Sequence, residues 1–168
     1  MEDPQTQGHG SLVIGGTGML AEATRWMARH HSPTLLVARR ASRFSAPTPG
    51  TLPLDLDWHR PDFAERIEEA LASMPPLEKA LLWLHDPEQH LARLMSILPK
   101  PGTVLVLGSV DGHPKLPRSA SGALTVQLGS VATQGGRRWL THAEICAGVI
   151  ATLKDGRSRI VGELLPLS

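Results

Sequence analysis

The spacing most suited to chemistry is a glycine pattern near the start of the chain. Gly16, Gly18 and Ala21 match G-x-G-x-x-G/A. In this pattern the first glycine permits a tight turn, the second lets a phosphate approach bare backbone, and the small third residue lets helix and strand pack closely. The N–H groups at the helix start then face the phosphate charge. We therefore expect a dinucleotide pyrophosphate to contact the turn GGTGML, which comprises Gly15, Gly16, Thr17, Gly18, Met19 and Leu20.

The flanking segments match the strand and helix that this pattern requires. Leu12, Val13 and Ile14 form an apolar run typical of a buried parallel strand. Residues 20–28 then repeat small and apolar side chains at helical spacing, with charged residues on the opposite side. The alternative is a glycine turn that joins a strand to a helix and binds nothing.

The residues after the second strand indicate which dinucleotide is preferred. Residues 34–38, TLLVA, form another apolar run, and Arg39 and Arg40 follow it. An acidic residue about 20 residues beyond the glycines would hydrogen-bond a ribose 2′-OH. A carboxylate there would repel a 2′-phosphate, whereas a guanidinium offers it a planar set of donors. The pattern favours NADP(H) over NAD(H); the alternative is that both arginines are solvated loop residues.

Length, charge and cysteine content restrict the class of protein. The chain has 168 residues, 41% of them hydrophobic, which suits one core and leaves no room for a second catalytic domain. We divide it into a polar lead, residues 1–10, and a dinucleotide-binding domain, residues 11–168. A net charge of +1 gives no field for nucleic acid or an anionic membrane. Cys146 is the single cysteine, and no long apolar run or export signal occurs, so we predict a soluble, cytoplasmic protein.

Strand and helix patterns alternate along the chain. After the first two strands, the predicted strands are residues 51–56, 80–84 and 103–107, and the predicted helices are residues 62–72 and 88–98. This alternation predicts an α/β fold, a single doubly wound parallel sheet of the Rossmann type with helices on both faces. The cofactor would lie across the carboxyl ends of the first and fourth strands.

The alternation changes after Gly108. Residues 111–122 contain two prolines and two glycines, which predicts a loop in place of a helix, and residues 123–132 predict one strand. Thr141 and Glu144 have the spacing of a capping box for a helix that ends at Gly156, and residues 159–164 predict a last strand. A loop in place of a helix would leave one sheet face poorly covered, so we predict a homodimer or larger assembly.

Other classes of site lack their residues. No histidine and acid spacing such as HExxH occurs, and no Gly-x-Ser-x-Gly, so we predict no metal and no hydrolase nucleophile elbow. One aromatic residue after Arg137 and Arg138 makes no stacking platform for nucleic acid. The tryptophans are predicted as core or interface residues rather than ligand contacts, at Trp26, Trp58, Trp83 and Trp139.

Five short segments follow one another along residues 12–109, in the order GGTGML, VARR, LPLDL, LLWLH and LVLGS. In that order they resemble the short-chain dehydrogenase/reductase superfamily, in a small atypical form. LPLDL places Asp55 where the family has an aspartate near the adenine amino group. LLWLH stands where the family has Asn-Asn-Ala-Gly beneath the nicotinamide ribose, and LVLGS ends where the family has its active-site serine. The resemblance implies cofactor contacts at Asp55, Leu56, Leu84, His85 and Ser109.

The chain departs from this family at the catalytic residues. Family catalysis depends on a Tyr-x-x-x-Lys pair, whereas this chain contains no tyrosine, and the residue four before Lys115 is Asp111. Ser109 stands as the candidate catalytic residue, and His85, His113 and Lys115 are candidate proton donors or cations. The alternatives are a serine that ends a strand, a wall of the pocket and exposed loop residues.

Two functions stay open from the sequence. One is an NADP(H)-dependent oxidoreductase that transfers a hydride to or from a small carbonyl or alcohol substrate. The other is a non-catalytic NADP(H)-binding sensor or structural subunit. The missing tyrosine favours the second and Ser109 favours the first, and the fold hosts both classes.

Overall fold

The computed structural model describes residues 9–84, 87–110, 113–114 and 122–164. His85, Asp111 and Lys115 lie outside these residues, and so do the side chains of Ser109 and His113. Most of the predicted loop at residues 111–122 also lies outside them.

The described strands are numbered in chain order as β1 (Gly10–Ile14), β2 (Thr34–Ala38), β3 (Thr51–Asp55), β4 (Leu77–Leu82), β5 (Thr103–Leu107), β6 (Ser109–Val110), β7 (His113–Pro114), β8 (Leu124–Leu128), β9 (Ser130–Thr133), β10 (Gly136–Trp139) and β11 (Arg159–Val161). Among them, seven form one sheet in the order β11-β8-β5-β4-β1-β2-β3, and each neighbouring pair is parallel. The chain runs outward from β1 to β3, crosses back to β4 beside β1, and runs outward again to β11. This reversal opens a crevice at the carboxyl ends of β1 and β4, where doubly wound sheets bind ligands.

Helices cover both faces of this sheet. They are α1 (Ala21–His30), α2 (Ala41–Ser45), α3 (Phe63–Leu71), α4 (Pro87–Ile97) and α5 (His142–Asp155). On β1, Val13 belongs to the core cluster formed with α1 and α5, whereas Leu12 and Ile14 belong to the cluster formed with α3 and α4. Both faces of the central strands are buried, which explains their continuous apolar sequences. The predicted α/β fold with a doubly wound parallel sheet is confirmed.

The predicted strand at residues 123–132 is wrong as a single element. The chain breaks at Gly129, where an added Cβ would lie 2.4 Å from the carbonyl oxygen of Glu163. β8 stays in the large sheet, whereas β9 pairs in antiparallel fashion with β10 to form a hairpin. β10 was not predicted, because its sequence GRRW is exposed along its whole length and shows no apolar alternation. The predicted last strand is also shorter, since β11 ends at Val161.

The predicted ends of α5 are confirmed. The Glu144 N–H donates to Thr141 Oγ1 at 3.1 Å, and the Thr141 N–H donates to Glu144 Oε1 at 3.2 Å, which completes the capping box. Gly156 ends the helix with a φ of +69°, a left-handed conformation that favours glycine. The sequence pattern therefore located both ends of this helix.

The outer strands of the sheet carry exposed apolar side chains. Leu52 on β3 is 46% exposed, and Ile160 on β11 is 56% exposed. Trp26 is buried, whereas Trp139 on the hairpin is 79% exposed, so of the two predicted positions, core or interface, the core is excluded for Trp139. In the part of the chain that the structure describes, no helix is long and apolar enough to cross a membrane.

Candidate nucleotide-binding site

A cavity of about 570 Å³ opens at the carboxyl ends of β1 and β2. It lies at the crevice that the strand order predicts. The glycine turn, the residues after β2 and β3, and the first residue after β4 contribute its walls. The lining residues are Ile14, Gly15, Thr17, Gly18, Met19, Val37, Ala38, Arg39, Arg40, Leu56, Trp58, Phe63 and Trp83.

Two glycines of the turn are required by its geometry. Gly15 has a φ of +77°, and an added Cβ would lie 2.5 Å from the carbonyl oxygen of Trp83. At Gly16 an added Cβ would lie 2.2 Å from Thr24 Oγ1 and 2.4 Å from Val13 Cγ1. The left-handed turn conformation therefore belongs to Gly15 rather than to Gly16 as predicted, and Gly16 instead allows close packing of the turn on α1.

Thr24 ties this turn to the helix that follows. Its hydroxyl lies 2.7 Å from the Gly16 carbonyl oxygen and 3.1 Å from that of Leu20. Leu20 is the N-cap of α1 and makes no side-chain capping hydrogen bond. The Ala21 N–H donates to the Gly18 carbonyl oxygen at 3.0 Å, so α1 begins directly after the turn whose Thr17, Gly18 and Met19 line the cavity. A helix start at such a place favours an anion.

Gly18 presents open backbone to the cavity. An added Cβ there would meet no atom within 4 Å, and the residue is exposed. Leu20 differs, because its side chain is 0% exposed in the core, so only its backbone could meet a ligand. The turn therefore offers a bare surface at Thr17 and Gly18, in line with the predicted pyrophosphate contact.

Arg39 and Arg40, which follow β2, also line the cavity and are exposed. The Arg39 guanidinium carbon lies 5.3 Å from the centre of the Trp58 ring. The Trp58 carbonyl oxygen in turn accepts a hydrogen bond of 2.6 Å from Nε2 of the buried His90. His90 therefore holds the segment after β3 in place, and with it the aromatic wall of the cavity.

Asp55 ends β3 beside this wall. Its carboxylate accepts hydrogen bonds from the Ser42 N–H at 2.8 Å and from the Ser42 hydroxyl at 2.7 Å. The hydrogen bond from the Ser42 side chain is the main cause that lowers the pKa of Asp55. Asp55 therefore stays ionised and anchors the start of α2, while Leu56 lines the cavity.

A second cavity, of about 280 Å³, lies beside the first at the ends of β5 and β8. Apolar side chains form most of its wall, and His142, the first residue of α5, contributes an imidazole to the described lining. The lining residues are Met19, Trp83, Gly108, Leu128, Gly129, Trp139, Leu140, His142 and Ile145. Sequence reasoning placed no functional role on His142.

The predicted catalytic residues are only partly located. Ser109 begins β6, directly after the Gly108 that lines the second cavity. The Leu84 side chain is buried in the core cluster with α3 and α4, so it does not line either cavity. Across the described ranges, no three His, Cys, Asp or Glu side chains lie close enough together to hold a metal ion.

Sequence reasoning missed Trp58, Trp83 and Phe63 as cavity residues. Trp58 and Trp83 are half-buried, and both line the first cavity. Trp58 follows the end of β3 and Trp83 follows the end of β4. Their position within three residues of the carboxyl ends of parallel strands is the signal that could have placed them at this edge.

Comparisons with known proteins identify the fold. No protein-family model and no curated protein sequence match the chain. Among solved structures, a Brucella melitensis short-chain dehydrogenase/reductase, described as glucose/ribitol dehydrogenase, is 11% identical, with a TM-score of 0.64 over 95% of this chain and 97% of that chain. A Serratia marcescens short-chain dehydrogenase/reductase is 14% identical, with a TM-score of 0.61 over 93% of this chain and 98% of that chain.

A third similar structure contains a dinucleotide. It is the Bordetella bronchiseptica enzyme WbmG in complex with NAD, which is 13% identical, with a TM-score of 0.59 over 95% of this chain and 73% of that chain. The strand order and these likenesses agree. The chain has a Rossmann fold of the short-chain dehydrogenase/reductase type.

Proposed function

We propose that this protein binds NADP(H) in the first cavity. The observation that carries this proposal is that the open turn at Gly18 and the cations Arg39 and Arg40 line the same cavity. A pyrophosphate would lie on the turn and the start of α1, and a 2′-phosphate beside the arginines. A similar fold binds NAD in the Bordetella enzyme, which supports a nicotinamide dinucleotide as the ligand class.

The surroundings of the arginines support a phosphate over a free ribose hydroxyl. Asp55 is the nearest acid that the resemblance would place by the adenosine, and both of its oxygens accept hydrogen bonds from Ser42. Arg39 and Arg40 are consecutive in the sequence, and both line the cavity. The hydrogen bond from the His59 N–H is the main cause that lowers the pKa of Asp57, and the charge of Arg39 also helps to lower it. A doubly negative phosphate gains charge-assisted hydrogen bonds from these arginines.

Isothermal titration calorimetry with NADPH and NADH tests this proposal. The double variant Arg39→Ala, Arg40→Ala should weaken NADPH binding by about tenfold or more, since each charge-assisted hydrogen bond contributes about 1.5–3 kcal/mol. It should change NADH binding much less. The matched control is Arg29→Ala with Arg66→Ala, which removes two exposed cations that do not line the cavity. The NADP(H) assignment would be contradicted if the protein bound neither dinucleotide. It would also be contradicted if the double variant lost the same affinity for NADPH as for NADH.

A second candidate function is an oxidoreductase acting on a small apolar carbonyl or alcohol. The second cavity favours it, because its walls are apolar and His142 lines it. When bound, a nicotinamide dinucleotide supplies hydride transfer, and His142 would hold the proton that the substrate oxygen gains or loses. The absence of tyrosine from the chain favours the non-catalytic binding module instead. We further propose a cytoplasmic homo-oligomer, in keeping with the buried free thiol of Cys146 and the exposed edge of the sheet.

A further inference from the structure

The two cavities are neighbours that share two lining residues. Met19 and Trp83 line both of them. Arg39, Leu56 and Trp58 lie only at the first cavity, and Leu128, Leu140 and Ile145 only at the second. Met19 and Trp83 therefore form a partition between the adenosine side of the crevice and its other half.

The Trp83 indole extends along this partition. An added Cβ on Gly15 would lie 3.3 Å from Trp83 Cδ1, and an added Cβ on Gly108 would lie 3.6 Å from Trp83 Cη2. Cδ1 and Cη2 are at opposite ends of the indole. The ring system therefore reaches from the end of β1 to the end of β5, across the strand between them.

Backbone contacts hold both partition residues. The Trp83 N–H donates to the Ile14 carbonyl oxygen at 2.9 Å, which fixes its main chain against the end of β1. The Met19 carbonyl oxygen accepts a hydrogen bond of 3.1 Å from the Cys146 thiol of α5. The partition is thus attached to the sheet on one side and to α5 on the other.

A dinucleotide in this type of sheet extends across the crevice from its pyrophosphate. With adenosine beside Arg39 and Trp58, the other half would leave the glycine turn toward β4 and β5. Its path leads directly to the Trp83 indole. A side chain of this size forces the nicotinamide half either to stay out of the second cavity or to displace the ring.

We propose that Trp83, together with Met19, restricts binding to the adenosine half of the dinucleotide, so that Trp83 determines how much of the cofactor this protein holds. This inference rests on the proposed function, because it assumes an adenine nucleotide in the first cavity. The nicotinamide half enters the second cavity only when the indole turns away. Wild-type protein accordingly gains little affinity from the nicotinamide half.

Calorimetric titration with adenosine 2′,5′-bisphosphate and with NADPH tests the inference through the ratio of the two affinities. In wild-type protein we expect the two dissociation constants to agree within about threefold. Trp83→Asn removes the indole, so the affinity for NADPH relative to that for the bisphosphate should rise by about tenfold, or about 1.4 kcal/mol. The ratio is internal to each variant, so a general loss of stability does not imitate the result.

Two further variants make the test independent of Trp83. Met19→Ala opens the same partition from the other side and should shift the ratio in the same direction. Leu140→Ala enlarges only the second cavity and should leave the wild-type ratio. If Trp83→Asn does not fold, Met19→Ala decides the question.

The possible results separate this inference from the proposed function. NADPH binding more than about threefold tighter than the bisphosphate in wild-type protein would overturn the inference and leave NADP(H) binding intact. The inference would also be overturned if NADPH affinity relative to bisphosphate affinity stayed unchanged or fell in Trp83→Asn and Met19→Ala. A fall would mean that the indole supports the nicotinamide ring. If neither ligand binds but ADP and NADH do, the same ratio is taken from that pair. Absence of binding by all four would overturn both proposals.

Discussion

Two glycines of the same turn differ in whether the structure has space for an added methyl group. At Gly16 an added Cβ would fall 2.2 Å from Thr24 Oγ1, well inside contact distance, and the Thr24 hydroxyl is itself hydrogen-bonded to the Gly16 carbonyl oxygen. At Gly18 an added Cβ would meet nothing within 4 Å. Gly16 therefore maintains the packing of the turn on α1, whereas Gly18 leaves open space beside the cavity.

Alanine substitutions should separate these two roles. Gly16→Ala should lower the free energy of unfolding by about 1–3 kcal/mol, because Thr24 and Val13 must shift to accept the methyl group. Gly18→Ala should leave the unfolding temperature close to that of the wild type and weaken NADPH binding, because the methyl group occupies the approach to the backbone. Thermal unfolding and calorimetry measure the two effects. Equal loss of stability in both variants would contradict the division of roles.

At this scale the sequence predicted residues that act through backbone or charge. The glycine spacing located the turn, and the position of Arg39 and Arg40 after the second strand placed them on the cavity wall. It failed for Trp58 and Trp83, because an aromatic residue type does not show whether its side chain lies in the core or at the open end of a strand. The Ser42 hydrogen bonds to Asp55 were also inaccessible, since they join residues that only the fold brings together.

At the scale of elements, the β9–β10 hairpin and α5 are joined by one ion pair. Arg138 Nη1 on β10 lies 2.8 Å from Glu144 Oε1, and Glu144 also closes the capping box with Thr141. The hydrogen bond from Arg138 is the main cause that lowers the pKa of Glu144 to about 2. Because His142 and Trp139 line the second cavity, this junction helps to form its wall.

The low pKa of Glu144 predicts a defined pH dependence of stability. The folded state binds the proton of this carboxyl less tightly than the unfolded chain, whose value is near 4.5. The stabilisation is therefore complete above the unfolded-state pKa and is lost as the pH falls toward about 2. The difference in unfolding temperature between wild type and Glu144→Gln should be constant near neutral pH and should narrow through this range. The control is Glu69→Gln, which changes an exposed residue of α3. A difference in unfolding temperature between wild type and Glu144→Gln that stays constant down to the lowest pH would contradict the prediction.

Sequence reasoning predicted elements best where one physical signal dominated. β2 and β5 have the predicted bounds because both are short apolar runs buried on both faces. α5 was located by its caps. The hairpin was missed because β10 is exposed throughout, so burial left no period in its sequence, and the break between β8 and β9 depends on the close approach of Gly129 to Glu163.

At the scale of the whole molecule, the residues that line the first cavity gather at one edge of the sheet. The glycine turn, Arg39, Trp58 and Trp83 all follow the carboxyl ends of parallel strands. This follows from the strand order, because the reversal between β1 and β4 leaves a crevice at that edge. Residues after the outer strand β3 line the first cavity, whereas β11, the outer strand on the other side of the sheet, contributes no residue to the described lining of either cavity.

The exposed edge at β11 predicts self-association. Ile160 is 56% exposed, while its neighbour Val161 packs with the core cluster on the α5 side. An outer strand offers unpaired backbone groups to a second copy, and an exposed apolar side chain on it adds contact area. Light scattering at micromolar concentration should therefore give a mass of at least twice 18.1 kDa. Ile160→Glu should shift the mass toward the monomer, because a carboxylate resists burial in such an interface, whereas Leu52→Glu on the opposite edge should not. A monomer mass for the wild type would contradict the predicted assembly, and a loss of association in Leu52→Glu alone would move the interface to β3.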